Sequence, residues 1–336
     1  MSELLPADRP REVVLRASDT SDPALGFASL DALPMKYLLE NSVICLDKVA
    51  GPTSHEVATW VKRILKCDRV GHGGTLDPAV TGILPLGIGN ATKAMQALLL
   101  AGKEYVCVME MHAASSEEQL REVMGQFVGR IYQRPPLKSS VKRILRIREI
   151  YYITIIELTG RLVLFRVGCQ AGTYVRKLCF DVGEALGTGA SMKELRRTRV
   201  GSFKEDEHLC SLYDLKDAYQ FWIEDGEETE LRRYLLPVEF ALGHLPVMTI
   251  RDSAVDAICH GASLAANGVV SLSTGIKMGD LVAVKTIKGE AVAIGKSSDT
   301  TEKIVKAGSG IVAVVERVLM ERSRYPPMWK KRQPGE

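Results

Sequence analysis

From Pro246 onward the hydrophobic residues come in short runs parted by glycine: GVVSL, GDLVAVKTI, GEAVAIGK and GIVAVVERVLM. Such runs, rich in β-branched residues and too short for helices, predict a small β-barrel with one helix at residues 253 to 260. The sequence before Gly243 has another texture. SVICLDKV reads as a strand, and Thr53 starts a helix whose apolar residues Val57, Trp60, Val61 and Ile64 share one face. KEYVCVMEMHAA alternates like a strand, and Ser115 with Glu118 has capping-box spacing before a short helix. YYITIIEL and VLFRVGC are strand-like, and residues 174 to 186 form an amphipathic helix. This interleaving lacks the strict alternation of a parallel doubly wound sheet, so a mixed α+β unit is expected at residues 41 to 245. The second unit covers 246 to 325, with a tail at 326 to 336 and a weakly patterned, Pro- and Asp-rich arm at 1 to 40.

A chain of 336 residues accommodates two such units, since domains average about 150 residues. Hydrophobic residues at 46% with 25% charged is the balance of a soluble globular protein. The sequence has no apolar run of membrane-spanning length and no signal-peptide pattern at its start, so an intracellular protein is expected. Seven cysteines are scattered singly, without Cys-x-x-Cys or a nearby pair of histidines, which indicates neither a disulfide framework nor a structural zinc.

The net charge is only +3, but its distribution is uneven. Residues 130 to 148 hold seven basic side chains and no acidic one, among them Arg134, Lys138, Lys142, Arg143 and Arg146. A second cluster, LRRTRVGSFK, contains Arg197 and Arg199. A third surrounds Tyr325 and Trp329, whose rings offer stacking surfaces. Basic runs with interleaved aromatics are an RNA-like footprint. By contrast, residues 205 to 230 carry ten acidic side chains against one lysine, a surface suited to a different partner.

The stretch GHGGTLDPAVTGILP, residues 71 to 85, holds Asp77 in a loop with four glycines and two prolines, followed by an apolar run. A polar loop pressed on a core is how a scaffold presents a reactive side chain. Its glycines lack the GxGxxG order of a dinucleotide site, and Gly295-Lys296-Ser297 fails the P-loop spacing by one residue. In CQAGTYVRKL, Arg176 could pair with Asp77 if the two loops meet, which would hold a carboxylate ionised as a nucleophile must be.

GHGGTLDP with TGILP downstream, LDKVAGPTSHEV, KEYV and GTYVRKL together resemble the TruB family of pseudouridine synthases. QRPPLKSSVKR, ELRRTR, GIKMGDLVAV and GEAVAIGK are similar to its dyskerin branch, the catalytic subunits of archaeal and eukaryotic box H/ACA ribonucleoproteins. The resemblance implies a pseudouridine synthase fold with a C-terminal PUA domain, on which the arm packs, and a reaction without cofactor or metal. It implies that Asp77 is the catalytic aspartate, attacking either ribose or base, that Arg176 pairs with it, and that Tyr105 stacks on the target base. Tyr174 becomes a neighbouring active-site residue, His72 the histidine linked to uridine extrusion, and Leu195 an apolar wall. Lys48 either contacts a substrate phosphate or supports the turn before the helix. Implied partners are a box H/ACA guide RNA, ribosomal RNA, transfer RNA and small proteins of the particle. The end at KKRQPGE, without a lysine-rich tail, points to an archaeal, cytoplasmic member. A stand-alone transfer-RNA enzyme, a non-catalytic RNA scaffold and a hydrolase are the other readings. No serine or cysteine of these motifs has a partner histidine at a recognisable spacing, which weighs against the last.

Overall fold

The computed structural model describes residues 4–135, 142 and 144–328. Among them, eleven strands form one mixed sheet whose main path runs Leu209–Cys210, Ser42–Lys48, Thr81–Ile88, Ala190–Val200, Lys103–Met111, Leu162–Cys169, Arg146–Thr159 and Gly129–Gln133. Its two halves are joined by a parallel pairing only two residues long, Thr81 with Arg196 and Gly82 with Arg197. This short pairing is the seam between the two halves. Gly82 permits the approach: its φ is +97°, and a Cβ there would meet the Arg197 carbonyl oxygen at 2.2 Å.

One half buries Leu46, Leu84 and Leu86 beneath helices Ser54–Ile64 and Leu212–Asp225. The other buries Cys107, Phe165 and Val167 beneath helices Glu117–Gln126 and Val175–Leu186. The cap of Glu117–Gln126 departs from the expected one. Ser116, not Ser115, accepts from the Gln119 amide, while Ser115 Oγ reaches the Gln119 side chain. Adjacent serines compete for one cap, and helix phase decides between them.

The C-terminal unit contributes six of the seven strands of a second sheet around Met248, Val284 and Val292, with helix Asp252–Cys259. Bulges interrupt four of its pairings, the device that bends short strands around a core. A separate apolar cluster, with Val43 and Ile83 from one unit and Ala283 and Ile294 from the other, joins the two. The N-terminal arm also bridges them. Val13–Leu15 adds a strand to the C-terminal sheet, and Asp252 accepts from Ser21 and Asp22. Asp8, however, forms a bidentate pair with Arg199 of the catalytic sheet at 2.9 and 2.5 Å, so the arm packs on both units.

Tyr325 is no stacking platform. It is 1% exposed, and its hydroxyl donates to the buried Glu290 at 2.6 Å. Trp329 lies outside the described residues. Gly82→Ala should destabilise the protein by at least about 3 kcal/mol, since strain and collision add, read as a fall in the urea midpoint. An unchanged midpoint would show that the seam can relax.

Candidate active site

The loop that carries Asp77 is fastened from three sides. From below, Lys48, 1% exposed at the end of strand Ser42–Lys48, donates to the carbonyls of Val49 at 2.9 Å, Pro78 at 3.0 Å and Val80 at 2.9 Å. From the neighbouring strand Arg197, also 1% exposed, donates to Ile83 at 2.8 Å, Gly74 at 3.1 Å and Thr75 at 3.4 Å. From helix Ser54–Ile64, the Ser54 hydroxyl accepts from the Leu76 amide at 2.9 Å and donates to the Leu76 carbonyl at 3.2 Å. Gly51 N–H adds a bond to the Pro78 carbonyl at 2.9 Å. A turn closed by Val80 N–H on the Asp77 carbonyl, at 3.0 Å, then points the aspartate outward.

Two expectations are corrected here. Lys48 is not a phosphate contact, because its ammonium is enclosed and engaged by carbonyls; it supports the turn. Arg197 is not an RNA-facing residue, because strand Ala190–Val200 lies in the middle of the sheet and directs it inward. The two other arginines of that cluster are also occupied. Arg196 pairs with Asp47 at 2.9 Å and Glu205 at 2.6 Å, and Arg199 with Asp8.

Asp77 itself is open to solvent. Its side chain is 62% exposed and accepts from Arg176 Nη2 at 2.9 Å, with Arg176 54% exposed. So exposed a pair adds little to folding, and its consequence is orientation. Arg176 stands in the first turn of helix Val175–Leu186, with Tyr174 at the N-cap. That helix start is set by Gln133, a buried residue the sequence reading passed over. Its side-chain amide accepts from Tyr174 N at 2.9 Å and donates to Tyr174 O at 3.1 Å. Arg148 Nε adds a bond to the Gly172 carbonyl at 3.1 Å.

Tyr105 lies on strand Lys103–Met111, opposite Arg197 on one side and Val167 on the other. Tyr105 and Leu195 are each partly buried against the apolar clusters of both sheet halves, so they line the seam. Burial pushes the Tyr105 phenol up, against the opposing pull of the Arg197 guanidinium, and the Asp77 charge reaches it too. Burial, then Arg197 and His55, hold the His72 imidazole below its ordinary value, so it is neutral at neutral pH. Its Nδ1 is buried and has no partner among the described residues. Arg134 and Lys142 are exposed and Arg146 is half-buried, whereas Lys138 and Arg143 lie outside the described residues. Among the described residues no group of three or more His, Cys, Asp or Glu side chains could hold a metal ion.

The geometry therefore offers an outward-facing carboxylate on a braced loop, a guanidinium that orients it, a ring face and an apolar wall. Such a set of groups suits a flat base removed from its stack. Arg197→Lys keeps the charge but cannot serve all three carbonyls. It should cost about 2–4 kcal/mol in chemical denaturation, because buried acceptors are left unpaired.

Residues 62–175 match the TruB family pseudouridylate synthase N-terminal domain. Residues 176–243 match the tRNA pseudouridylate synthase B C-terminal domain, and 246–319 the PUA domain. The probable tRNA pseudouridine synthase B of Methanopyrus kandleri is 54% identical over 332 residues, 99% of this chain and 98% of its own. That of Pyrococcus abyssi is 52% identical over 327 residues, 97% of this chain and 98% of its own. A chain in the crystal structure of a Cbf5–Nop10–Gar1 complex superposes with a TM-score of 0.93 at 51% identity, covering 96% of this chain and 98% of that one. A chain in an H/ACA ribonucleoprotein bound to a substrate RNA containing 2′-deoxyuridine gives 0.91 at 48%, covering 97% and 100%. The chain belongs to the TruB family of pseudouridine synthases, isomerases that act on RNA.

Proposed function

We propose that this synthase works as the catalytic subunit of a box H/ACA particle, isomerising uridines of ribosomal RNA chosen by a guide RNA, with Asp77 as the reacting carboxylate. The observation that carries the chemical part is the Asp77–Arg176 pair, set on a braced loop beside Tyr105. In the isomerisation the N1–C1′ bond breaks, the base turns over, and a C5–C1′ bond forms; C5 gives up its proton and N1 gains one. Asp77 either bonds to ribose or base, or stabilises positive charge at C1′. Arg176 holds it in line. The Tyr105 phenol, raised by burial, stays protonated at neutral pH and presents its ring to the base. Tyr174 and Leu195 complete the wall, and neutral His72 helps extrude the uridine.

The guided reading is supported by likeness over nearly the whole chain to proteins solved within such particles. It also has a physical basis, since the exposed cations Arg134 and Lys142 can meet phosphate without reading sequence. The C-terminal unit and tail would hold the guide, and Arg134, Lys142 and Arg146 the substrate strand. Helix Leu212–Asp225, acidic and bearing exposed Tyr213 and Phe221, is the candidate seat of a small partner protein. Action on transfer RNA is the second reading, favoured by the names of the curated relatives. Cytoplasmic residence is proposed as well; among the described residues no helix is long and apolar enough to cross a membrane.

Asp77→Asn should fold normally and form no pseudouridine, since the amide keeps shape but not nucleophilicity; turnover within roughly tenfold of wild type would contradict this. For target choice, pseudouridine is mapped on one substrate given a matching guide, a mismatched guide or none, with accessory proteins present. Modification only with the matching guide is expected. Equal modification of the same uridine in all three would favour a stand-alone transfer-RNA enzyme.

A further inference from the structure

Three buried cations surround the Asp77 loop, and two of them, Lys48 and Arg197, bond its carbonyls directly. The third, Lys103, has no part in the chemistry described so far. It is buried, and its ammonium donates to the carbonyls of Leu98 at 3.0 Å, Leu99 at 3.2 Å and Ala101 at 2.8 Å. Those carbonyls end helix Met95–Leu100; that of Leu98 also accepts from the Ala101 N–H at 3.2 Å. The aliphatic stem does something else. A Cβ built on Gly74 would lie 3.7 Å from Arg197 Nη1 and 3.9 Å from Lys103 Cε, so both side chains run close beside the Asp77 loop at Gly74. Lys103 also stands two residues before Tyr105 on the same strand.

We propose that Lys103 is a positioning residue for pseudouridine formation: its charged head locks helix Met95–Leu100 to the Tyr105 strand, and its stem runs beside the Asp77 loop at Gly74. This rests on the reading of Asp77 as the reacting carboxylate.

The lock is sensitive to pH. Burial, reinforced by repulsion from Arg197, brings the Lys103 ammonium from its ordinary 10.5 down to about 8. The ionisable groups facing it are Arg197 on one neighbouring strand, Cys169 on the other, and His244 from the segment joining the two units. Burial pushes the Cys169 thiol up to about 12 and the His244 imidazole down to about 4, so both are neutral where Lys103 titrates. Losing its proton leaves the amine fewer, weaker donors for three carbonyls. Between about 8 and 10.5 the unfolded chain binds this proton more tightly, so this group alone makes stability rise with pH. The loosening is local and appears in rate rather than in unfolding.

The test is single-turnover pseudouridine formation by the assembled enzyme on one substrate RNA, from about pH 6.5 to about 9.5, with RNA binding and thermal midpoint measured in parallel. The wild-type rate constant should fall through an apparent pKa near 8 with RNA binding little changed and no accompanying fall in the midpoint that this group would cause. Lys103→Met should be slowed roughly tenfold or more at about pH 7, with that limb gone. Lys103→Arg should keep the rate and move the limb beyond the range. A flat wild-type profile, or a limb that persists in both variants and so belongs to the uracil ring or another group, overturns the proposal. If either variant fails to fold, the wild-type profile and the other variant decide. Failure of the underlying reading would appear separately, as pseudouridine formed by Asp77→Asn.

Discussion

Arg197 and Lys48 are buried cations, and main-chain carbonyls of one loop accept hydrogen bonds from both. Burying such charges is expensive unless every donor finds an acceptor, so the loop and the cations specify each other. A loop with its carbonyls turned inward cannot relax outward without abandoning them. Asp77 gains from this a fixed backbone under an exposed side chain, the arrangement a nucleophile needs if approach to RNA is not to disturb it. The seam at Gly82 supplies the other half of the constraint, since only a glycine there lets the strand bearing Arg197 come close enough to reach the loop.

Much of this was legible in the sequence because period and punctuation are local. Strands Ser42–Lys48, Lys103–Met111 and Leu162–Cys169, the helix capped by Thr53, and the glycine-parted strands after Pro246 all stand where the patterns put them. The Asp77–Arg176 pair follows from two motifs that only tertiary structure brings together. What misled was charge. LRRTR reads as a basic surface, yet it belongs to a central strand, and the partners of Arg197 are carbonyls, which any residue can supply and no sequence pattern marks. The same blindness covers Lys48 and Lys103. Gln133 escaped notice because its partner is the backbone of Tyr174, distant in sequence and silent in composition. Tyr325 looked like a stacking ring because neighbouring basic residues suggested RNA, whereas a buried carboxylate, Glu290, claims its hydroxyl.

The two units are not beads on a string. Val43 and Ile83 share an apolar cluster with Ala283 and Ile294, and the arm ties Asp8 to the catalytic sheet while Val13–Leu15 completes the C-terminal one. Removing the C-terminal unit would expose that cluster, so loss of activity on truncation would not by itself report on RNA binding. Shared packing also gives the C-terminal unit a fixed relation to the Asp77 loop.

The central claim is that the Asp77 loop is braced before RNA arrives. Amide hydrogen exchange in the RNA-free protein tests it most directly, because the N–H groups of Gly51, Leu76 and Val80 are bonded only if the loop has the geometry described. Protection of these three amides by about a thousandfold or more over an open chain is predicted. Exchange at open-chain rates, slowing only when RNA is added, would contradict it and mean that substrate, rather than the buried cations, orders the loop.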